Sequence, residues 1–363
     1  MDLILASKKA DKTIVEVEGV GGYYTWSSTH FPVLSQKKLA AGLLVLQPRG
    51  FAQPHYADSS KIAYVCEGEC IAGLISPEDS KEVVIKIQKG DALPVPLGAV
   101  SWWFNGGDSK LSIIYLGESG EYTPGEFCYF FLTGAAGILN GFSSELIPKS
   151  FHLTKTESEK LIKDQSSCNL LIKINDGTKM PHPCSSLDKH KFVFNFDHSA
   201  KPCVEVKNGG VLTSVSCKNL PLLGDIGLSA HRVILEGGAL FGPAFTADTS
   251  VQLTYVTKGS GRVEIVGLFG KVVLDGKVEE GELFFVPEFF PFVVEADEGG
   301  MELFSVKTSS KQVYGELSSG KKSIWEAASP SILEASLNMT PDAVKSFKSK
   351  IAKGAVIAPP STI

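Results

Sequence analysis

Two stretches of the chain repeat each other in register. "YVCEG" at 64–68 is answered by "YVTKG" at 255–259, and Gly68, Gly90 and Pro96 recur as Gly259, Gly281 and Pro287 at one constant spacing. Further back, "PHY" at 54–56 answers "PAF" at 243–245, with two extra residues in the second copy. Such duplication requires one supersecondary unit that folds twice. Both copies are rich in short β-branched or alternating runs: "GLLVLQP", "KIAYVCEG" and "LSIIYLG" in the first, "HRVILEG", "VQLTYVTKG" and "MELFSVKT" in the second. Turn residues such as Asn105-Gly106-Gly107 and Asp275-Gly276 separate them. Regular short strands of this kind form a sandwich or barrel, and closure into a barrel removes exposed sheet edges.

Helical patterns follow each strand-rich region. "TKTESEKLIKDQ" (154–165) starts with Thr and acids and ends with lysines, as a helix dipole favours. "KKSIWEAASPSILEASLN" spaces Ile324, Ala328, Ile332, Leu333 and Leu337 helically, and "TPDAVKSFKSK" offers Thr340 as N-cap with Pro341 at the first helical position. The stretch 166–200 has Pro, His and Ser with little periodicity. The expected organisation is a mainly β chain: a first barrel with its helical segment at 1–165, a connection at 166–200 entering the second barrel near "KFVFNF", and a second barrel with its helical segment at 201–363.

At 363 residues, either half is long enough to bury its own core. A net charge of −5 argues against nucleic acid or an anionic membrane as partner. Only Arg49, Arg232 and Arg262 are arginines, so planar forks for phosphate or carboxylate are scarce. The apolar stretch near the N-terminus is shorter than a signal-peptide core of about 7–15 residues, and no run approaches a membrane span. The expectation is a soluble, cytoplasmic protein. The seven cysteines, Cys66, Cys70, Cys128, Cys168, Cys184, Cys203 and Cys217, form no disulfide framework and no CxxC pair, and are expected to be buried reduced thiols.

"GDALPVPLGAVSWWFN" carries Gly90, Pro96, Gly98 and Asn105 at the spacing of the second cupin motif, G-x5-P-x-G-x2-H-x3-N, with Ser101 where that motif has histidine. In the first motif His55 falls on the first histidine, Ala57 on the second, Lys61 on the glutamate and Gly68 on the closing glycine. The chain resembles a bicupin, two jelly-roll barrels each followed by a small helical segment. Its ending "GELSSGKKSIWEAASPSILEASLNMTPDAVKSFKS" and its mid-chain "FLTGAAGILNGFSSELIPKSFHLTKTESEKL" resemble legumin-type seed globulins, closest to the signal-less, legumin-like or glutelin type-D-like plant proteins. The resemblance implies self-association as a trimer or another homo-oligomer. Unlike storage globulins, the chain is poor in arginine and glutamine.

The resemblance also defines what is missing. A cupin metal site needs three imidazoles and a carboxylate, and an octahedral N/O set suits Mn or Fe. The first copy keeps one of the four. The second has Ala244, Thr246, Gln252 and Phe292 at the corresponding positions. No metal and no other cofactor is expected. If the cupin register holds, His55, Lys61, Ser101, Trp103 and Asn105 share the interior of the first barrel. Tyr56, Ala57, Tyr64, Ser101, Trp103 and Asn105 are then expected to shape a ligand site. His55 is a base of suitable range, unless it is a core histidine bonded to a carbonyl. Lys61 is a proton donor or Schiff-base amine, unless it pairs with Asp58 or Glu67. The leading expectation is a metal-independent bicupin that binds a small organic ligand or substrate in its first barrel and catalyses, if anything, proton transfer of the isomerase, epimerase or cyclase type. The alternatives are a nutrient reservoir without a catalytic site, a scaffold with plugged barrels and, least favoured, a metal-dependent dioxygenase.

Overall fold

The computed structural model describes residues 4–360 apart from 79, 167–168, 184–187, 199–200 and 319. The chain divides into two compact units, one of Ala10–His198 with Leu220–Ile226, the other of Met1–Lys9, Ser199–Asn219 and Gly227–Ile363. Both are built from antiparallel strands in the jelly-roll arrangement.

In the first unit, one sheet runs in the order Tyr129–Phe131, Gly50–Ala57, Val100–Phe104, Glu69–Ile75, Glu82–Gln88. The other runs Phe194–Asn195, Asp91–Val95, Lys61–Glu67, Leu111–Glu118, Leu39–Leu46, Gly21–Thr25, Lys12–Val17. Side chains alternate across each strand, which turns Ala63, Val65, Ile113 and Tyr115 into one core with Leu44, Ile85 and Trp103. In the second unit, two long strands, Gln252–Val266 and Phe292–Lys307, pair with each other and with four further strands, within one continuous sheet.

The duplication has a backbone cause. Gly68 and Gly90 have φ of 81° and 84°, and Gly259 and Gly281 have φ of 75° and 86°. Residues with a Cβ rarely enter this region. At Gly68 an added Cβ would also sit 2.5 Å from the Lys110 carbonyl oxygen, and at Gly259 2.1 Å from that of Gly300. The repeated glycines therefore mark the same two turns of each barrel.

The boundaries differ from those expected at two places. Residues 169–198, read as a connection, contribute two strands to the first unit. Leu171–Lys173 pairs with the strand Gly50–Ala57, and Phe194–Asn195 pairs with Asp91 and Ala92. Such short strands leave too few residues for a visible period. The N-terminal Lys8–Lys9 pairs with Leu283 and Glu282 of the second unit. Asp91 fastens the first of these additions. It is fully buried, and its carboxylate accepts from Lys189 Nζ at 2.7 Å, Asn195 Nδ2 at 2.7 Å and the Gln88 N–H at 2.9 Å. Asp91→Ala is expected to cost about 2–3 kcal/mol, the range of a charge-assisted buried hydrogen bond. Limited proteolysis should then cut first at 188–198; an unchanged cleavage order would show that the strand holds without Asp91.

The helices follow the expected caps. In Lys155–Ser166, Thr154 Oγ1 accepts from the Glu157 N–H while Glu157 accepts from the Thr154 N–H, a capping box. Thr340 caps Pro341–Ile351. The pattern at 321–338 is split into Ile324–Ala327 and Pro330–Leu337, because Pro330 cannot donate to an earlier turn. Among the described residues, no helix is long and apolar enough to cross a membrane. Cys66, Cys70, Cys128, Cys203 and Cys217 are free thiols, of which Cys70 is buried and Cys203 exposed. Cys168 and Cys184 lie outside the described residues.

Candidate functional site in the first barrel

The strand Gly50–Ala57 brings His55 opposite Ser101 and, on its other side, opposite Phe131. Between Ala52 and His55 the register to Val100–Phe104 shifts, which lets both residues line the interior. A cavity of about 40 Å³ lies there, walled by Tyr23, His55, Trp103, Tyr115, Tyr129 and Phe131, with apolar closure from Leu44, Ala52 and Leu171.

His55 and Trp103 thus meet at one cavity, as expected. Lys61 lies behind it. Its ammonium sits 4.6 Å from the centre of the Tyr129 ring and 5.0 Å from that of Phe127, a cation–π seat within the protein. Burial lowers the Lys61 pKa to about 7, and only the charge of Asp58 works against this. His55 donates or accepts at Nδ1 with the Gln53 carbonyl at 2.8 Å. A carbonyl oxygen can only accept, so Nδ1 carries the proton. Burial lowers the His55 pKa to about 4, the Gln53 bond opposes it, and the Lys61 charge adds to it.

The other expected site residues are placed elsewhere. Tyr56 points to the opposite face and stacks on Phe130, ring centres 5.0 Å apart. Tyr64 alternates away from Lys61 and Ala63 and packs edge-on against Phe196. Asn105 is fully buried but ties a turn. Its Nδ2 donates to Leu46 O at 2.9 Å and Ser109 O at 2.8 Å, and its Oδ1 accepts from the Gly107 N–H. Ala57 and Ser101 are buried beside the site, Ala57 opposite Tyr129 and Ser101 opposite His55. Missing from the expected set are Tyr23, Tyr115 and Tyr129. Tyr23 Oη meets Tyr129 Oη at 2.5 Å, and the Tyr129 ring stands edge-on to His55. The alternation Ile113, Tyr115 in "LSIIYLG" was a signal for one of them. Tyr129 belongs to a three-residue strand inside a stretch whose segments otherwise read as helical.

The Cupin family profile matches residues 8–159 and 197–361. The chain belongs to the cupin family. Its two matched segments make it a bicupin, and its relatives place it with the legumin type. It is 24% identical to cocosin 1 of Cocos nucifera, over 93% of this chain and 84% of that protein. It is 20% identical to glutelin type-B 2 of Oryza sativa subsp. japonica, over 84% of this chain and 76% of the glutelin. Among solved structures, pumpkin seed globulin superposes with a TM-score of 0.87 at 21% identity, covering 99% of this chain and 98% of its own.

The residues present do not fit the metal of this family. Ala57 and Ser101 offer no imidazole, and Lys61 brings a positive charge to the carboxylate position. Among the described residues, no group of three or more His, Cys, Asp or Glu side chains is gathered in a way that could hold a metal ion. In this cupin the cation is the protein's own.

The second cupin barrel reaches the same end by other residues. Tyr314 pairs with Thr246 as Tyr129 pairs with Ala57, so the two tyrosines are equivalent. Lys307 Nζ lies 4.3 Å from the centre of the Tyr314 ring. Yet Lys307 stands on the neighbouring strand. Lys61 pairs with Gly117 in the first barrel, and Gln252 pairs with Lys307 in the second. The Tyr314 hydroxyl meets His231 Nδ1 at 3.0 Å and Gln252 Oε1 at 3.1 Å. Thr254 and Ser305 complete the network, with Gln252 Nε2 3.0 Å from Thr254 Oγ1 and the two hydroxyls 2.8 Å apart. His231 is 1% exposed. The polar groups around Tyr314 bond to one another.

Proposed function

We propose that this bicupin is a reservoir protein of the storage-globulin kind, which associates with copies of itself and catalyses no reaction. The observation that carries the reading is the small free volume of the first barrel. A cavity of about 40 Å³ is far below the roughly 300–1,000 Å³ of ligand and substrate pockets. The residues expected to do acid–base work are engaged: Nδ1 of His55 with Gln53, and the Lys61 ammonium against Tyr129 and Phe127. Two of the similar proteins carry the description "13S globulin seed storage protein", one from Fagopyrum esculentum and one from Fagopyrum tataricum. Composition weighs against it, since three arginines make a poor nitrogen store. Self-association is supported by apolar side chains left exposed on both helical segments: Phe142, Leu146 and Phe151 after the first barrel, Ile324 and Ile332 after the second.

Two measurements test the reading. Light scattering on the purified chain should give a multiple of the chain mass. Quantitative proteomics of the source plant should show the protein accumulating in developing seed and disappearing on germination. A monomer held at a constant low level in all tissues would refute it.

A further inference from the structure

One end of the second unit is apolar on its outside. Gln252–Val266 and Val272–Glu279 form a hairpin that closes with Val266 opposite Val272, and its tip is Leu268-Phe269-Gly270. Phe269 is 99% and Leu268 71% exposed, and Val272 is half-exposed. Segments on both sides extend the patch. The Val266 N–H donates to Pro291 O at 2.9 Å, which brings the half-exposed Phe289 to one side. The Leu5 N–H donates to Val273 O at 2.8 Å, which brings the exposed Ile4 to the other. The packing between these segments is tight: a Cβ added at Gly267 would lie 2.9 Å from the Phe290 ring and 2.9 Å from Val273 Cγ1.

The first unit shows that the fold does not require these residues. Its corresponding hairpin, Glu69–Ile75 with Glu82–Gln88, carries "SPEDSK" where the second carries "GLFGK". Phe289 is the counterpart of Gly98 at the constant spacing of the repeat. Gly98 has a φ of 73°, Phe289 of 66° and Phe269 of 59°, a region that residues with a Cβ rarely enter. Exposed aromatic rings on such backbone point to an interaction rather than to packing. At about 200 Å² for each phenylalanine, the five side chains present about 600 Å² of apolar surface, the upper end of the largest patch on a typical monomer. That is less than the roughly 800 Å² each partner covers in a stable complex. A benzene ring needs a cavity of about 150 Å³. The first-barrel cavity of about 40 Å³ is too small to receive the protruding Phe269 of a second copy, and the cleft beside Lys89, Asp108 and Asp197 is charged. A lipid layer needs no socket. Lys271 and Glu288 flank the tip with opposite charges, and the net charge of −5 disfavours anionic headgroups. We propose that this end of the second unit docks on a lipid surface of zwitterionic headgroups, with the Leu268-Phe269 tip entering the apolar layer. Side chains of surface-bound proteins reach about 5–10 Å into it.

Phosphatidylcholine vesicles should carry the full chain upward in a flotation gradient, to the same extent in low and in high salt. Phe269→Ser and Leu268→Ser alter exposed side chains and should fold. Each should weaken vesicle binding about tenfold or more. Phe289→Gly suits the positive φ, so it should melt at or above the temperature of the unmodified chain while binding vesicles more weakly. Phe142→Ser, on the first helical segment, should bind vesicles as the unmodified chain does. Without lipid, light scattering should give Phe269→Ser the same mass as the unmodified chain. Four results would each overturn the proposal: no flotation with phosphatidylcholine, flotation only with anionic lipid or only in low salt, unchanged binding of Phe269→Ser, or a lower mass of that variant, which would place a second copy on the tip. None of them decides the reservoir reading, which is tested by accumulation in seed and by the mass of the unmodified chain.

Discussion

Acidification from pH 6.5 toward pH 4 is expected to destabilise the protein, beginning above the pH at which ordinary carboxylates take up protons. Two buried histidines cause this, one per barrel. Burial first, and the Lys61 charge in addition, holds His55 at about 4 although the Gln53 bond opposes the shift. Burial first, and then the Lys307 charge, holds His231 at about 3. Free imidazole titrates near 6.5. Both folded-state values are depressed, so between pH 6.5 and 4 the unfolded chain binds protons that the folded chain refuses, and stability falls as pH falls. At about 1.4 kcal/mol per pH unit for each histidine, the loss by pH 4 is on the order of 5 kcal/mol, comparable with the whole stability of a typical domain. The lysines act with the same sign at higher pH. Burial lowers Lys61 to about 7 and Lys307 to about 8, each opposed by one aspartate, so stability is expected to rise from neutrality into the alkaline range. Urea midpoints measured across pH would show both slopes. His55→Asn keeps a donor for the Gln53 carbonyl and has no proton to gain. It should flatten the acid slope of the first barrel whatever it does to the midpoint at neutral pH, and His231→Asn should do the same for the second. Slopes unchanged in both variants would mean that the acid sensitivity comes from carboxylates.

The architecture was readable because it rests on local rules repeated twice. Gly68, Gly90 and their counterparts sit at positive φ, and the strands between them alternate. Thr154 and Thr340 cap helices through bonds within four residues. The interior was less readable, for a physical reason. The His55 and Trp103 positions follow from strand alternation alone, and both face the cavity. What decides their chemistry comes from far along the chain: Tyr23, Tyr115 and Tyr129 lie 32, 60 and 74 positions away from His55 in sequence. Tyr56 and Tyr64 were expected to shape the site, yet alternation puts both on the outer face. In the second barrel the motif positions alone, Ala244, Thr246, Gln252 and Phe292, show that metal ligands are missing but do not reveal the network around Tyr314. The polar groups that matter, His231, Ser305, Lys307 and Tyr314, occupy positions that no motif marks.

Gly42→Ala is expected to be as damaging as any single added methyl in the first barrel. The new Cβ would lie 1.8 Å from Tyr23 Oη and 2.5 Å from its Cζ. The Tyr23 ring is buried, and moving it breaks the bond to Tyr129 Oη. Overpacking of about 1–3 kcal/mol and a buried hydroxyl left alone at about 1–3 kcal/mol together give a loss of about 3–5 kcal/mol. The second barrel shows the way out. Gly21 pairs with Leu46 as Gly210 pairs with Leu235, which makes Leu212 the counterpart of Tyr23 and His231 the counterpart of Gly42. One barrel satisfies its central tyrosine with a phenol that reaches over a glycine. The other uses an imidazole that grows from the glycine's own position, and a leucine replaces the phenol. Gly42→His alone should therefore be at least as harmful as Gly42→Ala, and Tyr23→Leu alone should cost the aromatic packing and the Tyr129 bond. Combined, they should be milder than the sum by about 2 kcal/mol or more, within the coupling seen for residues in contact. Thermal or urea unfolding of the four proteins in the cycle measures this directly, and additive losses would show that the two sites do not share one space. The expected coupling has a simple origin. Both halves hold an equivalent tyrosine with a lysine against its ring, although the lysine comes from a different strand in each. The tyrosine hydroxyl needed only some buried partner, and the two halves of the chain supplied that partner from different strands.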